Sequence, residues 1–111
     1  MSESKFYGML GLAKRSGNIT VGFDRAADAV RCGSACVVLV SSDCSDKTQK
    51  RIADKCSYYG TEFIMFGTSA KIGGAIGSGG VAVLAVTDEN FAAAIKNIYN
   101  NLTEVAENGS C

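Results

Sequence analysis

The chain contains no histidine, no tryptophan and no proline among its 111 residues. The lack of imidazole excludes a Ser-His-Asp triad, a histidine general base and a histidine metal ligand. No apolar run approaches the roughly 20 residues that a membrane-spanning helix needs. Eleven basic side chains balance eleven acidic ones, so the chain lacks the positive excess of proteins that coat nucleic acids non-specifically.

A recognisable export signal is also missing, because the first residues, 1–5, contain no basic segment followed by an apolar stretch. The five cysteines are an odd number, which indicates reduced thiols. Both features predict a cytoplasmic protein. The cysteine spacing contains no C-x-x-C pair, so we expect no metal site. The cysteines weighed as zinc ligands are Cys32, Cys36, Cys44 and Cys56.

With 47% apolar and 20% charged residues, the composition is typical of one globular domain. We place this domain at residues 1–102 and expect a flexible tail at 103–111. Residues 1–75 carry ten basic and seven acidic side chains, whereas residues 76–111 carry one and four. The first part is therefore suited to face phosphate, although a merely solvated surface explains these charges equally well.

Hydrophobic periodicity predicts helices that alternate with apolar strands. The expected strands are 18–21, 36–41, 62–66 and 81–86; the expected helices are 3–15, 22–32, 46–59, a short one through Ile72 and Ile76, and one from Thr87 or Asp88 onward. The run at 36–41 is continuous and β-branched, which is typical of a strand covered on both faces. This alternation predicts an α/β fold, a three-layer α-β-α sandwich whose small mixed sheet has about four strands, the first at an edge. The expected helix N-caps are Ser4, Ser45 and Thr87 or Asp88.

The glycine-rich segment 67–80 has some features of a phosphate-binding loop. A phosphate loop needs G-x-x-x-x-G-K-[ST], whereas Gly74 and Ala75 follow Gly73 here. The dinucleotide fingerprint fails as well, because the glycines lie at the far end of the predicted helix. We therefore expect no nucleotide cofactor, and we explain the last glycines by turn geometry or by the close approach of another backbone segment.

Residue pairs suited to acid–base catalysis are scarce. Asp43 and Asp46 flank a helix start, where capping explains them, and neither a histidine nor a metal cluster supports them. Cys44 precedes the same helix start, a position that can make a thiol reactive. An incidental loop cysteine is the favoured interpretation, and we expect no catalytic residue.

Backbone N–H groups open two predicted helices at one end of the sandwich, at residues 22–25 and 44–47. The helix dipole orients such groups toward anions. The basic residues that flank them in the sequence are Lys14, Arg15, Lys47, Lys50 and Arg51. Such a surface suits a folded RNA with a sharply bent backbone and exposed base edges.

Six segments of the chain carry a known pattern, namely residues 10–22 (LGLAKRSGNITVG), 29–35, 37–43, 48–60, 67–77 and 83–91. In order, and without large gaps over residues 6–100, they resemble the bacterial YlxQ-like branch of the kink-turn-binding ribosomal protein family, the L-seven-A-e and L-thirty-e-like proteins. The resemblance implies an α-β-α sandwich that binds kink-turns in ribosomal RNA or in other structured RNA.

The RNA-binding motif of that family opens the second helix with Gly, a small polar residue, Asn, Glu, two variable residues and Lys. Here Gly22 is kept, and the other positions are occupied by Phe23, Asp24, Arg25 and Asp28. An ionised aspartate only accepts hydrogen bonds, whereas asparagine also donates them. An acid at the lysine position repels phosphate, while Arg25 offers a compensating contact to phosphate or to a guanine edge.

The apolar contact of the family, made by the loop before the last core strand, maps onto a glycine-rich stretch. This stretch consists of Ser78, Gly79, Gly80 and Val81. Together with the motif at 22–28 and with Asp43, it forms the predicted RNA surface, and Lys14 and Arg15 lie at the margin of that surface.

We therefore predict a non-enzymatic, ribosome-associated protein that binds structured, kink-turn-like RNA. Its candidate partners are ribosomal RNA and ribosomal or other proteins, and we expect it to bind neither membranes nor DNA. Two alternatives stay open. One is a protein-interaction module with the same fold and a degenerate RNA site, which Asp28 and the zero net charge favour. The other is a small enzyme that uses Cys44.

Overall fold

The computed structural model describes residues 2–110 of the chain, and it describes side chains from residue 4 to residue 101. Within residues 2–110, helices alternate with strands along the chain, as the hydrophobic pattern predicts. The helices are α1 (Ser2–Arg15), α2 (Phe23–Cys32), α3 (Asp46–Tyr59), α4 (Ser69–Ile76) and α5 (Glu89–Ser110). The strands are β1 (Ile19–Val21), β2 (Val37–Val40), β3 (Glu62–Met65) and β4 (Val83–Val86).

The strands form one mixed sheet in the order β1-β4-β2-β3. β4 runs antiparallel to both β1 and β2, whereas β2 and β3 run parallel. The predicted mixed sheet and the edge position of β1 are thus confirmed. The last strand in the sequence lies inside the sheet, between the first strand and the second.

Alternating side chains of β2 face two separate cores. Val37 and Leu39 pack with residues of α1, α4 and α5, whereas Val38 and Val40 pack with residues of α2 and α3 on the opposite face. Every residue of β2 and β4 is buried. The three-layer α-β-α sandwich is therefore confirmed, and both continuous apolar runs are strands covered on two faces.

The apolar run predicted as a strand at 62–66 forms β3, but this strand is not buried as β2 and β4 are. Ile64 is the one buried residue of this strand, while Phe63 and Met65 are 40% and 38% exposed. The cause is incomplete cover by helices at this edge of the sheet. Phe63 and Met65 pair with Val38 and Val40 of β2, but they are not part of the core that α2 and α3 form on that face. A short apolar run has the same pattern at an edge as in the centre of a sheet, so the sequence alone did not distinguish the two.

Two of the three predicted helix caps are present. The Ser45 hydroxyl accepts the backbone N–H of Thr48 at 3.2 Å and caps α3, and the Asp88 carboxylate accepts the backbone N–H of Phe91 at 3.0 Å and caps α5. Ser4 is not a cap, because α1 begins two residues before it and places it inside the helix.

Residues 103–111, which the sequence predicts to be a flexible tail, lie outside the residues whose side chains are described. It stays a prediction, as does the domain boundary at residue 102. Among the described residues, no helix combines the length and the apolar character that crossing a membrane requires.

Gly73 of α4 provides the close backbone approach expected somewhere in the glycine-rich segment. A Cβ atom at this position would collide with the carbonyl oxygen of Gly79, so glycine is what lets the following loop fold back onto α4. Gly77 ends α4 in the left-handed conformation, with a φ of 73°, which favours glycine. These two glycines fix the path of residues 77–80 before the chain enters β4.

We expect Gly73→Ala to lower the free energy of unfolding by about 1–3 kcal/mol, because the added methyl group must displace the Gly79 backbone. Gly74→Ala is the matched control, since its Cβ would meet no atom within 4 Å and alanine favours a helix by about 0.5–1 kcal/mol. Urea unfolding measures both variants. Equal stability of the two would contradict the close approach at Gly73.

Candidate nucleic-acid interface

Four chain segments meet at one end of the sheet. The Gly22 N–H donates to the carbonyl oxygen of Val83 at 2.9 Å, and the Ser41 N–H donates to the carbonyl oxygen of Ala82 at 2.8 Å. A further backbone hydrogen bond joins the chain after β2 to the chain after β3. We call these segments the rim; they are residues 22–25, 41–45, 66–69 and 77–82.

The rim contains one helix start without a side-chain cap. Ser45, Thr68 and Asp88 cap α3, α4 and α5, whereas no side chain caps α2. Gly22 occupies the N-cap position of α2 with a φ of 105°, a conformation that favours glycine. The first N–H groups of α2 therefore present the positive end of the helix dipole without a capping acceptor.

The acidic residues of the predicted motif, Asp24 and Asp28, lie exposed on α2. The Asp28 carboxylate accepts a hydrogen bond from the Arg31 guanidinium at 2.9 Å, and both side chains are more than half exposed. A cation one helical turn away thus opposes the repulsion that Asp28 would exert on phosphate. Arg25 is exposed and forms no ion pair with a described side chain, so its charge is available to an anion.

Phe23, the first residue of α2, is half-buried against the core between α2, α3 and the sheet. The guanidinium carbon of Arg51, from α3, lies 4.9 Å from the centroid of the Phe23 ring, within the range of a cation–π contact. Both residues are conspicuous in the sequence, but their contact is not predictable from it. They are 28 positions apart, and only the packing of α2 on α3 brings them together.

Asp43 has an intramolecular role that the sequence does not reveal. Its carboxylate accepts hydrogen bonds from the backbone N–H of Ser69 at 2.9 Å and from the Ser69 hydroxyl at 3.3 Å. It therefore assists the start of α4, and the expectation that it caps the nearby α3 is wrong. The hydrogen bond from the Ser69 N–H is the main reason that the pKa of Asp43 lies below its ordinary value of 3.8.

The loop before β4 contributes differently from the prediction. Val81 is 4% exposed and belongs to the core that contains α1, α4 and α5. The side chain of Val81 therefore cannot contact a ligand. The chain passes from the exposed residues 78–80 into the core at Val81. Ser78, Gly79 and Gly80 are exposed and form the accessible part of this segment.

Lys14 and Arg15 are not brought to the rim. They are the last two residues of α1, and the chain then reaches the start of β1. At that point the carbonyl oxygen of Asn18 accepts a hydrogen bond from the N–H of Thr87, which directly follows β4. This is the opposite end of the sheet from Gly22, separated from it by the roughly 10 Å rise of a three-residue strand. The sequence places these residues close to Gly22, but an extended strand carries the chain away from them.

Cys44 and Cys56 belong to the same core but differ in burial. Cys44 is half-buried and packs against the core that includes Phe23, where it behaves as a small apolar side chain. Cys56 is buried in the same core, and burial raises the pKa of its thiol to about 11. Among the described residues, no three cysteine or acidic side chains are grouped as metal ligands would be.

Comparison with known proteins agrees with this architecture. The model of the ribosomal protein L7Ae/L30e/S12e/Gadd45 family matches residues 4–96. The chain is 36% identical over 92 residues to the RNA-binding protein YlxQ of Bacillus subtilis, covering 83% of this chain and 92% of that protein. It is 30% identical over 97 residues to the RNA-binding protein YlxQ of Enterococcus faecium, covering 87% and 93%.

Solved structures share the fold. A protein of unknown function from Bacillus halodurans C superposes with a TM-score of 0.84 at 30% identity, covering 86% of this chain and 97% of that one. A 15.5 kD RNA-binding protein of Giardia lamblia superposes with a TM-score of 0.75 at 15% identity, covering 93% and 88%. The second likeness concerns the fold alone. The roles of the individual rim residues stay predictions.

We expect Asp43→Asn to destabilise the protein at neutral pH, because an amide lacks the charge that attracts the Ser69 N–H. Since the folded state lowers the pKa of Asp43, its contribution is present above pH of about 4 and is lost as the pH falls through the folded pKa. The difference in unfolding free energy between wild type and variant should be constant from about pH 5 to 7 and shrink below about pH 4. Asp54→Asn, at an exposed acid without a described ion pair, is the control; a difference for Asp43→Asn that persists unchanged in acid would contradict the account.

Proposed function

We propose that this chain, which belongs to the ribosomal protein L7Ae/L30e/S12e/Gadd45 family, binds structured RNA of the kink-turn type with its rim. We further propose that it acts in the cytoplasm on ribosomal RNA and without enzymatic activity. The names of its two YlxQ relatives, both RNA-binding proteins, support RNA as the partner class.

The uncapped start of α2 is the observation that carries the proposal. A phosphate placed there would accept hydrogen bonds from the first N–H groups of the helix and would interact favourably with the helix dipole. Gly22 is held against β4 by its hydrogen bond to Val83, so these donors are in place before the ligand arrives. A kinked RNA brings phosphates of two strands close together, which matches a compact set of donors better than an extended duplex does.

The charges around this helix start are compatible with RNA despite the acids in the motif. Asp28 is paired with Arg31, and Arg25 is exposed without an ion-pair partner among the described side chains. Arginine presents a planar fork that matches a phosphate or the Hoogsteen edge of guanine. Arg25 therefore offers a cation in the first turn of α2 where the motif's lysine is missing.

A protein-interaction module is the second candidate, and the exposed edge of the sheet favours it. Phe63 and Met65 of β3 are 40% and 38% exposed, on a strand without an outer partner among the described strands. Exposed apolar edges of this kind often pair with another chain. This edge lies on the far side of β2 from β4 and Gly22, so the two functions can be tested separately.

The proposal is tested by titrating the protein with a kink-turn RNA and with a control duplex in which complementary bases replace the bulge. Measurements at two salt concentrations separate shape recognition from general phosphate attraction. We expect the kinked RNA to bind at least about tenfold more tightly at both salt concentrations. Equal, weak and strongly salt-dependent binding of the two RNAs would contradict kink-turn recognition.

We expect Arg25→Glu to weaken binding of the kink-turn RNA by about tenfold or more, because the charge beside the helix start is reversed. Arg15→Glu makes the same charge change at the opposite end of the sheet and should change affinity far less. Binding isotherms of both variants in the same buffer provide the comparison. An equal loss for both would show that overall charge, and not the rim, governs binding.

A further inference from the structure

The contact between Phe23 and Arg51 lies at the border of the rim and is not explained by the family motif. Phe23 is half-buried, so its ring is held by the core against which it packs. Arg51 is exposed, and its guanidinium lies over that ring, 4.9 Å from the centroid. The guanidinium is therefore in contact with an anchored aromatic ring, while the Arg51 side chain as a whole remains accessible.

Arg51 also lies within a row of cations that have no described counterions. Lys47 and Lys55 are one helical turn before and after it on α3, so the three side chains lie on the same helix face. None of them forms an ion pair with a described side chain, although Asp54 lies within one turn of Arg51. We call this face the α3 row. A cationic surface with this little internal compensation is suited to a polyanion.

We propose that Arg51, held in place by its contact with Phe23, is a stacking platform for one unpaired nucleobase of the bound RNA, and that Lys47 and Lys55 contact the flanking phosphates. The inference rests on the proposed function and identifies which part of the RNA reaches α3. Bases stack on arginine planes as well as on aromatic rings. An anchored guanidinium loses little conformational freedom when a base stacks on it, and it still donates hydrogen bonds from its edge.

The geometry favours an unpaired base over a duplex at this position. A paired base exposes only its edge in a groove, whereas stacking requires a free face. The platform adjoins the start of α2, because Phe23 directly follows Gly22 in the chain. A bent RNA whose phosphates lie at Gly22 would therefore place a nucleotide from the bend within reach of α3.

The platform is tested with a series of kink-turn RNAs, each lacking the base of one unpaired nucleotide. For the wild-type protein, we expect one of these abasic RNAs to bind about tenfold more weakly than the intact RNA, the typical effect of losing one stacked base. Arg51→Gln should weaken binding of the intact RNA by a similar factor. It should also abolish the penalty for that one abasic RNA, because the base no longer has a stacking partner.

Three further variants separate stacking from charge and from folding. Arg51→Lys keeps the charge but not the plane, and it should also be insensitive to the missing base. Lys50→Gln removes a neighbouring exposed charge; it should reduce the salt dependence slightly and keep the full abasic penalty. Phe23→Leu should halve or abolish the abasic penalty. The unfolding midpoint of this variant shows whether the fold persists. If Phe23→Leu does not fold, the variants of the exposed Arg51 still test the stacking platform.

The outcomes distinguish this proposal from the one on which it rests. Wild-type protein that prefers the kinked RNA, combined with an Arg51→Gln variant that keeps the same abasic penalties, would overturn the platform and leave the RNA function intact. Wild-type protein without any preference for the kinked RNA would overturn both. A penalty lost equally in Lys50→Gln and Arg51→Gln would assign the effect to charge alone and would also overturn the platform.

Discussion

The antiparallel placement of β4 between β1 and β2 brings the segments of the rim together at one end of the sheet. Because β4 enters the sheet where both neighbours leave it, the ends of β1 and β2 lie beside its start. The hydrogen bond from Gly22 to Val83 then fixes the first turn of α2 against this buried strand. A strand in another position would have separated the loops that form the rim.

The polar groups of the rim are divided between internal bonds and groups left open to a ligand. Asp43 holds the start of α4, and Asp28, just beyond the rim on α2, pairs with Arg31. The first N–H groups of α2 have no side-chain cap, and neither Arg25 nor Arg51 forms an ion pair with a described side chain. The donors and cations that remain are those that a phosphate chain with an unpaired base requires.

Much of the architecture could be predicted from the sequence, because the runs at β2 and β4 and the caps at Ser45 and Asp88 are local signals. The contacts that define the site could not, because they join distant positions. Asp43 reaches Ser69 across 26 residues, and Arg51 meets Phe23 only through the packing of α2 on α3. For the same reason, the exposed edge of β3 and the buried side chain of Val81 follow from neighbours that periodicity does not identify.

An RNA-binding surface formed by the rim and the adjoining face of α3 can be mapped residue by residue. Nitrogen-15-labelled protein titrated with a kink-turn RNA reports each backbone amide separately. We expect the largest shifts at residues 22–25 and 77–80, with further shifts along α3 and little change at Lys14 and Arg15. Shifts concentrated on β3, or at the opposite end of the sheet, would contradict this expectation.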